Sequence, residues 1–173
     1  MHESHGTAVL LSATVVTMLV LAANASAAAP SDPTYEPAIR RALALLPKQP
    51  SMIAIVDAND AKPDTRRTLM TLDAFIVRGS KVVYLVRQSV VLQMAAKGNP
   101  IMDYILASVI WHEMAHADGA TEQEAQRREE QLWTQFVRDQ RMDQVVALRY
   151  LAALHKRQEH VREDGRVARS MPG

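Results

Sequence analysis

Ile110-Trp111-His112-Glu113-Met114-Ala115-His116, closing at Gly119, is the stretch on which the fold of this chain turns. Two histidines four apart lie on one face of an α-helix, one turn from each other, so both imidazoles can reach a single ion. Glu113 sits about 100° further round, near enough to hold a water beside that ion without becoming a ligand. Asn99-Pro100 supplies the start of the same helix: asparagine as N-cap, proline at the first helical position, Asp103 in the turn that follows. Ile101, Ile105, Leu106, Val109 and Ile110 then make a broad apolar stripe. The helix is therefore expected to run through the core before it reaches the histidines.

A hydrolytic zinc site needs a third protein ligand, with the fourth position left to water. Gly119 lets the chain turn back at the end of the helix, and Thr121 reads as the N-cap of a second helix over 121–137, with Leu132, Trp133, Phe136 and Val137 buried. Two acids follow at once. Thr121-x-x-Glu124 is a capping box, in which Glu124 reaches back to the Thr121 amide. That leaves Glu122, at the first helical position, free and favoured as an ionised carboxylate by the helix dipole. Glu122 is thus the expected third ligand and Glu124 the alternative, while Glu129 and Glu130 read as solvated. Asp118 reads either as an orienting partner for a ligand histidine or as a solvated helix-end carboxylate.

Upstream, Tyr35 to Leu46 places Ile39, Leu43 and Leu46 at helical spacing, stopped by Pro47 and Pro50. Met52 to Val56 is a short apolar run of strand length. Asp57 to Arg67 reads as a polar loop; Asp57, Asn59 and Asp60 lack the Gly and closing Glu of a calcium loop. Leu72 to Arg78 and Lys81 to Arg87 are β-rich and separated by Gly79-Ser80, a two-residue hairpin signal with Gly where a type II′ turn needs it. Together with 52–56 they predict a small antiparallel sheet. Ser89 is placed to cap a short helix through Lys97, closed by Gly98. A last helix is expected over about 139–157, and the charged tail 158–173 is expected to fray.

At 173 residues, with 48% hydrophobic and 23% charged side chains, the chain suits one compact domain, read here as 28–157. A net charge of +1 with interspersed signs gives no footprint for nucleic acid. The absence of cysteine excludes disulfides, thiol nucleophiles and Cys-ligated zinc, so any metal site must use His and carboxylates. The apolar run Ala8 to Ala23, followed by Ala25-Ser26-Ala27, reads as a secretory signal peptide cleaved after Ala27. An uncleaved anchor is the alternative, since the n-region carries no Lys or Arg and the run is nearly long enough to span. Export, to a periplasm or outside the cell, is the expectation; membrane attachment follows only if the segment is kept.

His112-Glu113-x-x-His116-x-x-Gly119-x-x-Glu122 resembles the zinc-binding signature of zincin metallopeptidases. The Gly and the spacing to the last position are similar to the metzincin pattern, where that position is usually His or Asp. A Glu ligand borne on a following helix is what gluzincins use. The resemblance covers about eleven consecutive residues and the order of sheet, active helix and ligand helix. It implies an α+β fold: a small zincin-like domain, its short antiparallel sheet packed on the active-site helix and two C-terminal helices. It implies Zn²⁺ on His112, His116 and Glu122, with Glu113 as general base in the hydrolysis of a peptide or protein substrate. Zinc would lower the pKa of its water to about 7 and polarise the scissile carbonyl, while Glu113 takes the water's proton and delivers it to the leaving amine. Met142 is the one well-placed candidate for a methionine turn, with core packing its more ordinary role; Tyr150 and His155 are the candidates for stabilising the oxyanion, each more ordinarily a packed or surface side chain. The edge of the Lys81 to Arg87 strand is the expected seat of an extended substrate. The competing expectation is a non-catalytic exported protein that keeps a zincin-like fold around zinc.

Overall fold

The computed structural model describes residues 32–152. The signal segment 1–27, His155 and the tail 158–173 lie outside them. Among the described residues no helix is long and apolar enough to cross a membrane. They form a mixed α+β structure in two compact units, 32–132 and 133–152.

The first unit opens with helix α1, Glu36–Leu43, which has a proline in its first turn and Arg40 and Arg41 in its last. It stops three residues short of the expected Leu46, and its fully buried positions are the small Ala38 and Ala42. Strand β1, Met52–Val56, follows. The predicted polar loop 57–67 is instead largely helical. Asp57 caps a 3-10 turn over Ala58–Asp60 by accepting from the Asn59 amide, and helix α2 runs over Pro63–Leu69. Pro63 in the first turn, with Asp64 beside it, is helix-starting chemistry that outweighs the polar composition.

Strands β2, Ala74–Ile76, and β3, Val82–Val86, pair antiparallel with Ile76 opposite Val83 and Ala74 opposite Leu85. That is the register set by a turn centred on Gly79-Ser80. The turn itself closes one residue earlier than a type II′ turn would: the Ser80 amide donates to the Val77 carbonyl. Gly79, at φ +81°, therefore occupies the third turn position, where type II turns need positive φ.

The sheet order is β1-β3-β2, and β1 runs parallel to β3, with Met52 opposite Val82 and Val56 opposite Val86. The expected all-antiparallel sheet is thus a mixed one. The α2 segment carries the chain past the central position, so the hairpin returns between β1 and β2. Strand β3 is consequently paired on both sides, and the expected docking edge at Lys81 to Arg87 is not an edge. One sheet face packs on the α2 layer through Phe75, Val86, Leu69 and Ala58, with Phe75 stacked on Tyr84 at 5.1 Å.

Helix α3, Val90–Ala96, has the predicted Ser89 cap: its Oγ accepts from the Leu92 amide, and Gly98 follows at φ +81°. Helix α4, Pro100–Ala117, begins at Asn99, whose Oδ1 accepts from the Ile101 amide. It packs against α1, α3, β2 and β3, which leaves Leu106, Ala107, Ile110, Met114 and Ala115 buried. A helix enclosed on that many sides has to be apolar nearly all round.

Arg41 joins three of these helices. Its guanidinium donates to both carboxylate oxygens of Asp103 on α4, at 2.8 and 3.1 Å, and to the Ala95 carbonyl on α3 at 2.8 Å. The Asp103 side chain is 12% exposed and that of Arg41 44%. Arg41→Met should therefore cost about 2 kcal/mol, below the range for a fully buried pair because Arg41 is half in water. Urea unfolding measures this, and adding Asp103→Leu should return most of the loss.

Helix α5, Glu122–Arg138, spans the division between the units. In the second unit Trp133 stacks on Tyr150 at 4.2 Å and meets Phe136 edge-on. Gln140 takes a left-handed conformation, φ 55°, and the Arg141 amide returns to the Phe136 carbonyl. The last helix, α6, accordingly begins at 144 rather than 139 and is described as far as 152. The Asp143 carboxylate caps it, accepting from the Val145 and Val146 amides.

Candidate metal centre

The two histidines leave α4 in its last turns, where the helix has emerged from the core but is still held by it. His112 and His116 side chains are 14% and 15% exposed. Their Nε2 atoms stand 3.1 Å apart. Gly119, at φ +90°, turns the chain back, and the Ala120 amide closes on the Ala115 carbonyl. Two residues later α5 begins, and Glu122 reaches the same point. Its Oε2 is 3.1 Å from His116 Nε2, and its Oε1 is 3.6 Å from His112 Nε2.

Glu124 is occupied elsewhere. It accepts from the Thr121 amide at 2.8 Å, while Thr121 Oγ1 accepts from the Glu124 amide at 3.3 Å, both halves of a capping box. Glu122 is the acid that stands with the histidines, and His112, His116 and Glu122 form a group able to hold a metal ion. Four ligands at 2.0–2.1 Å around a tetrahedral ion lie about 3.3 Å from one another. The separations from His116 Nε2 to His112 Nε2 and to Glu122 Oε2, 3.1 Å each, lie close to that edge, and the second carboxylate oxygen, Oε1, stands 3.6 Å from His112 Nε2.

The outer ring nitrogens fix the protons. His112 Nδ1 is 3.2 Å from Glu129 Oε2, and His116 Nδ1 is 3.0 Å from the Ala120 carbonyl. An ionised carboxylate and a carbonyl can only accept, so both Nδ1 atoms carry hydrogen. In the neutral rings both Nε2 atoms then present lone pairs toward each other and toward a carboxylate. Three acceptors converging in this way require a cation or a proton between them. The titration of the group expresses the same shortage of positive charge. Burial pulls the His112 imidazole down, but Glu122 and Glu129 outweigh it and push it up to about 10. Hydrogen bonding to Glu122 raises His116. The imidazoles, His112 first, hold Glu122 well below the usual carboxylate range.

Glu113 is buried at 7% exposure, and burial pushes its carboxyl up to about 7. Among the described residues no hydrogen bond to its side chain is formed. It is a buried carboxyl that feels the charges of His112 and His116 without bonding to either.

Comparison of the chain with protein-family models, with curated proteins and with solved structures returned no match. What is known of this centre therefore rests on its geometry.

Two residues of the cluster were not expected. Glu129, read as solvated, is 4% exposed and holds His112. It stands seven positions after Glu122, two turns along one face, on the buried row Ala125, Glu129, Leu132. Gln126, between them on the same face, donates to Glu122 Oε1 at 2.8 Å. The signal for both was their spacing from Glu122. Asp118 sits at the C-cap of α4 and pairs with Lys81, Lys48 and Arg128 at 3.4 to 3.9 Å. Tyr150 is engaged by Trp133, and the Met142 amide donates to the Phe136 carbonyl in the α5–α6 turn.

Proposed function

We propose that this chain is an exported zinc peptidase of zincin-like architecture, with His112, His116 and Glu122 as its metal ligands. The observation that supports it most is the convergence of two lone-pair nitrogens and a carboxylate at tetrahedral-edge spacing, with the buried Glu113 carboxyl in their electrostatic field. The donor set suits the metal: two imidazoles and one carboxylate, without sulfur, are a hydrolytic zinc set when one position stays open. Zinc bound there supplies a water acidified to a pKa of about 7 and a polarised substrate carbonyl.

The chain's own residues do the rest. Glu113 accepts the proton of the attacking water as the water oxygen bonds to the carbonyl carbon. It then gives that proton to the amine nitrogen as the carbon–nitrogen bond breaks. Glu129 and the Ala120 carbonyl keep both histidines in the tautomer that offers Nε2. Export rests on the apolar run 8–23 and the Ala25-Ser26-Ala27 that follows it.

The test is metal analysis of the mature chain together with cleavage of a peptide library. One zinc per chain is expected, with cleavage abolished by a chelator and restored by zinc. Zinc at 100 times its Kd should stabilise the chelated protein by about 2.7 kcal/mol, an increment that disappears in His116→Ala. One zinc with no peptide cut would favour a non-catalytic zinc-binding protein instead. No zinc at all would remove both.

A further inference from the structure

The Glu122 carboxylate has two oxygens, and both face the histidines: Oε2 at 3.1 Å from His116 Nε2, Oε1 at 3.6 Å from His112 Nε2. A carboxylate so placed can bind an ion through one oxygen or through both. Two oxygens would complete a set of four donor atoms from the protein, and a water would then make a fifth ligand. One oxygen leaves a three-donor set with the tetrahedral position that hydrolysis needs.

Gln126 decides between these modes. It lies one turn beyond Glu122 on α5, half-buried, and its amide Nε2 donates to Oε1 at 2.8 Å, while the neighbour of Oε2 is the His116 Nε2 of the metal-holding group itself, at 3.1 Å. The bond occupies one lone pair of Oε1 with a partner on the same helix and so turns that oxygen toward Gln126 in preference to a cation. Oε2 is left as the oxygen free to meet a cation. The i, i+4 spacing makes the restraint local, so it survives any adjustment of α4 against α5. We propose that Gln126 is a positioning residue that fixes Glu122 as a one-oxygen ligand and thereby keeps the fourth metal position open. This rests on the metal-centre reading given above.

The experiment uses the full mature chain loaded with cobalt in place of zinc, since the visible bands of Co²⁺ weaken as coordination rises from four to five or six. The parent chain should show an intense four-coordinate band. Gln126→Met keeps the length of the side chain and removes the donor, and its band should lose intensity toward that of a five-coordinate ion. Gln126→Lys restores a donor able to reach Glu122 and should restore the band. Gln126→Ala serves if the Met variant does not fold, folding being read by circular dichroism. Cobalt bound with an unchanged band in the donor-less variants overturns this proposal alone. No cobalt bound by the parent chain overturns the metal centre and this proposal with it.

Discussion

Glu113→Gln should lower peptide hydrolysis by about 10²–10⁴-fold, the range that removal of a general base produces, while the purified chain keeps one zinc. The two parts of that outcome come from different atoms. The group able to hold metal is His112, His116 and Glu122, none of which the substitution touches. The lost function is proton acceptance, which a neutral amide of the same shape does not perform. Stability supplies an independent check. The Glu113 carboxyl is 7% exposed, is pushed up to about 7 by burial, and has no hydrogen-bond partner among the described residues. Keeping a charge there costs folding free energy, so the Gln variant should unfold at the same temperature as the parent or higher. Equal turnover by the variant would show that Glu113 is not the base. Lost turnover together with lost zinc would place Glu113 in the metal site instead of beside it.

Local chemistry was legible in the sequence wherever a residue bonds to its own neighbourhood. Asn99 and Pro100 start α4, Gly119 ends it, and Thr121 and Glu124 close a box with each other. These interactions span four residues or fewer, and their spacing states them in full. The position of Glu122 beside the histidines follows from the same short-range logic, because the capping box occupies Glu124. Pairing of β1 was not legible in this way. Nothing within Met52 to Val56 says whether β3 approaches parallel or antiparallel; the connection through α2 decides it, and α2 was hidden by its polar composition. Gln140 hid the start of α6 for a related reason, since a left-handed residue that is not glycine gives no warning in its identity. Glu129 was misread because a lone Glu is almost always solvated, whereas the side chain that justifies its burial lies 17 residues away in sequence on α4.

That pairing carries the second large effect. Glu129→Leu should weaken zinc binding by about 10–100-fold, the usual consequence of removing the partner behind a ligand histidine. The side chain is 5% exposed, so a leucine fits the environment and the fold should tolerate it better than a hole. His112 Nδ1–H would then lose its acceptor inside the protein, and the ring would be free to turn or to move its hydrogen to Nε2, the atom that must face the metal. Glu129→Gln separates the two contributions. Its amide oxygen can still accept from Nδ1 and hold the tautomer, but it lacks the charge that makes the imidazole a stronger donor to a cation. The Gln variant should therefore fall between the parent and the Leu variant. Competition against a chromophoric chelator at fixed pH measures all three. An unchanged affinity in Glu129→Leu would mean that packing around α4 alone orients His112, and that Glu129 contributes nothing to the metal site beyond filling its place in the core.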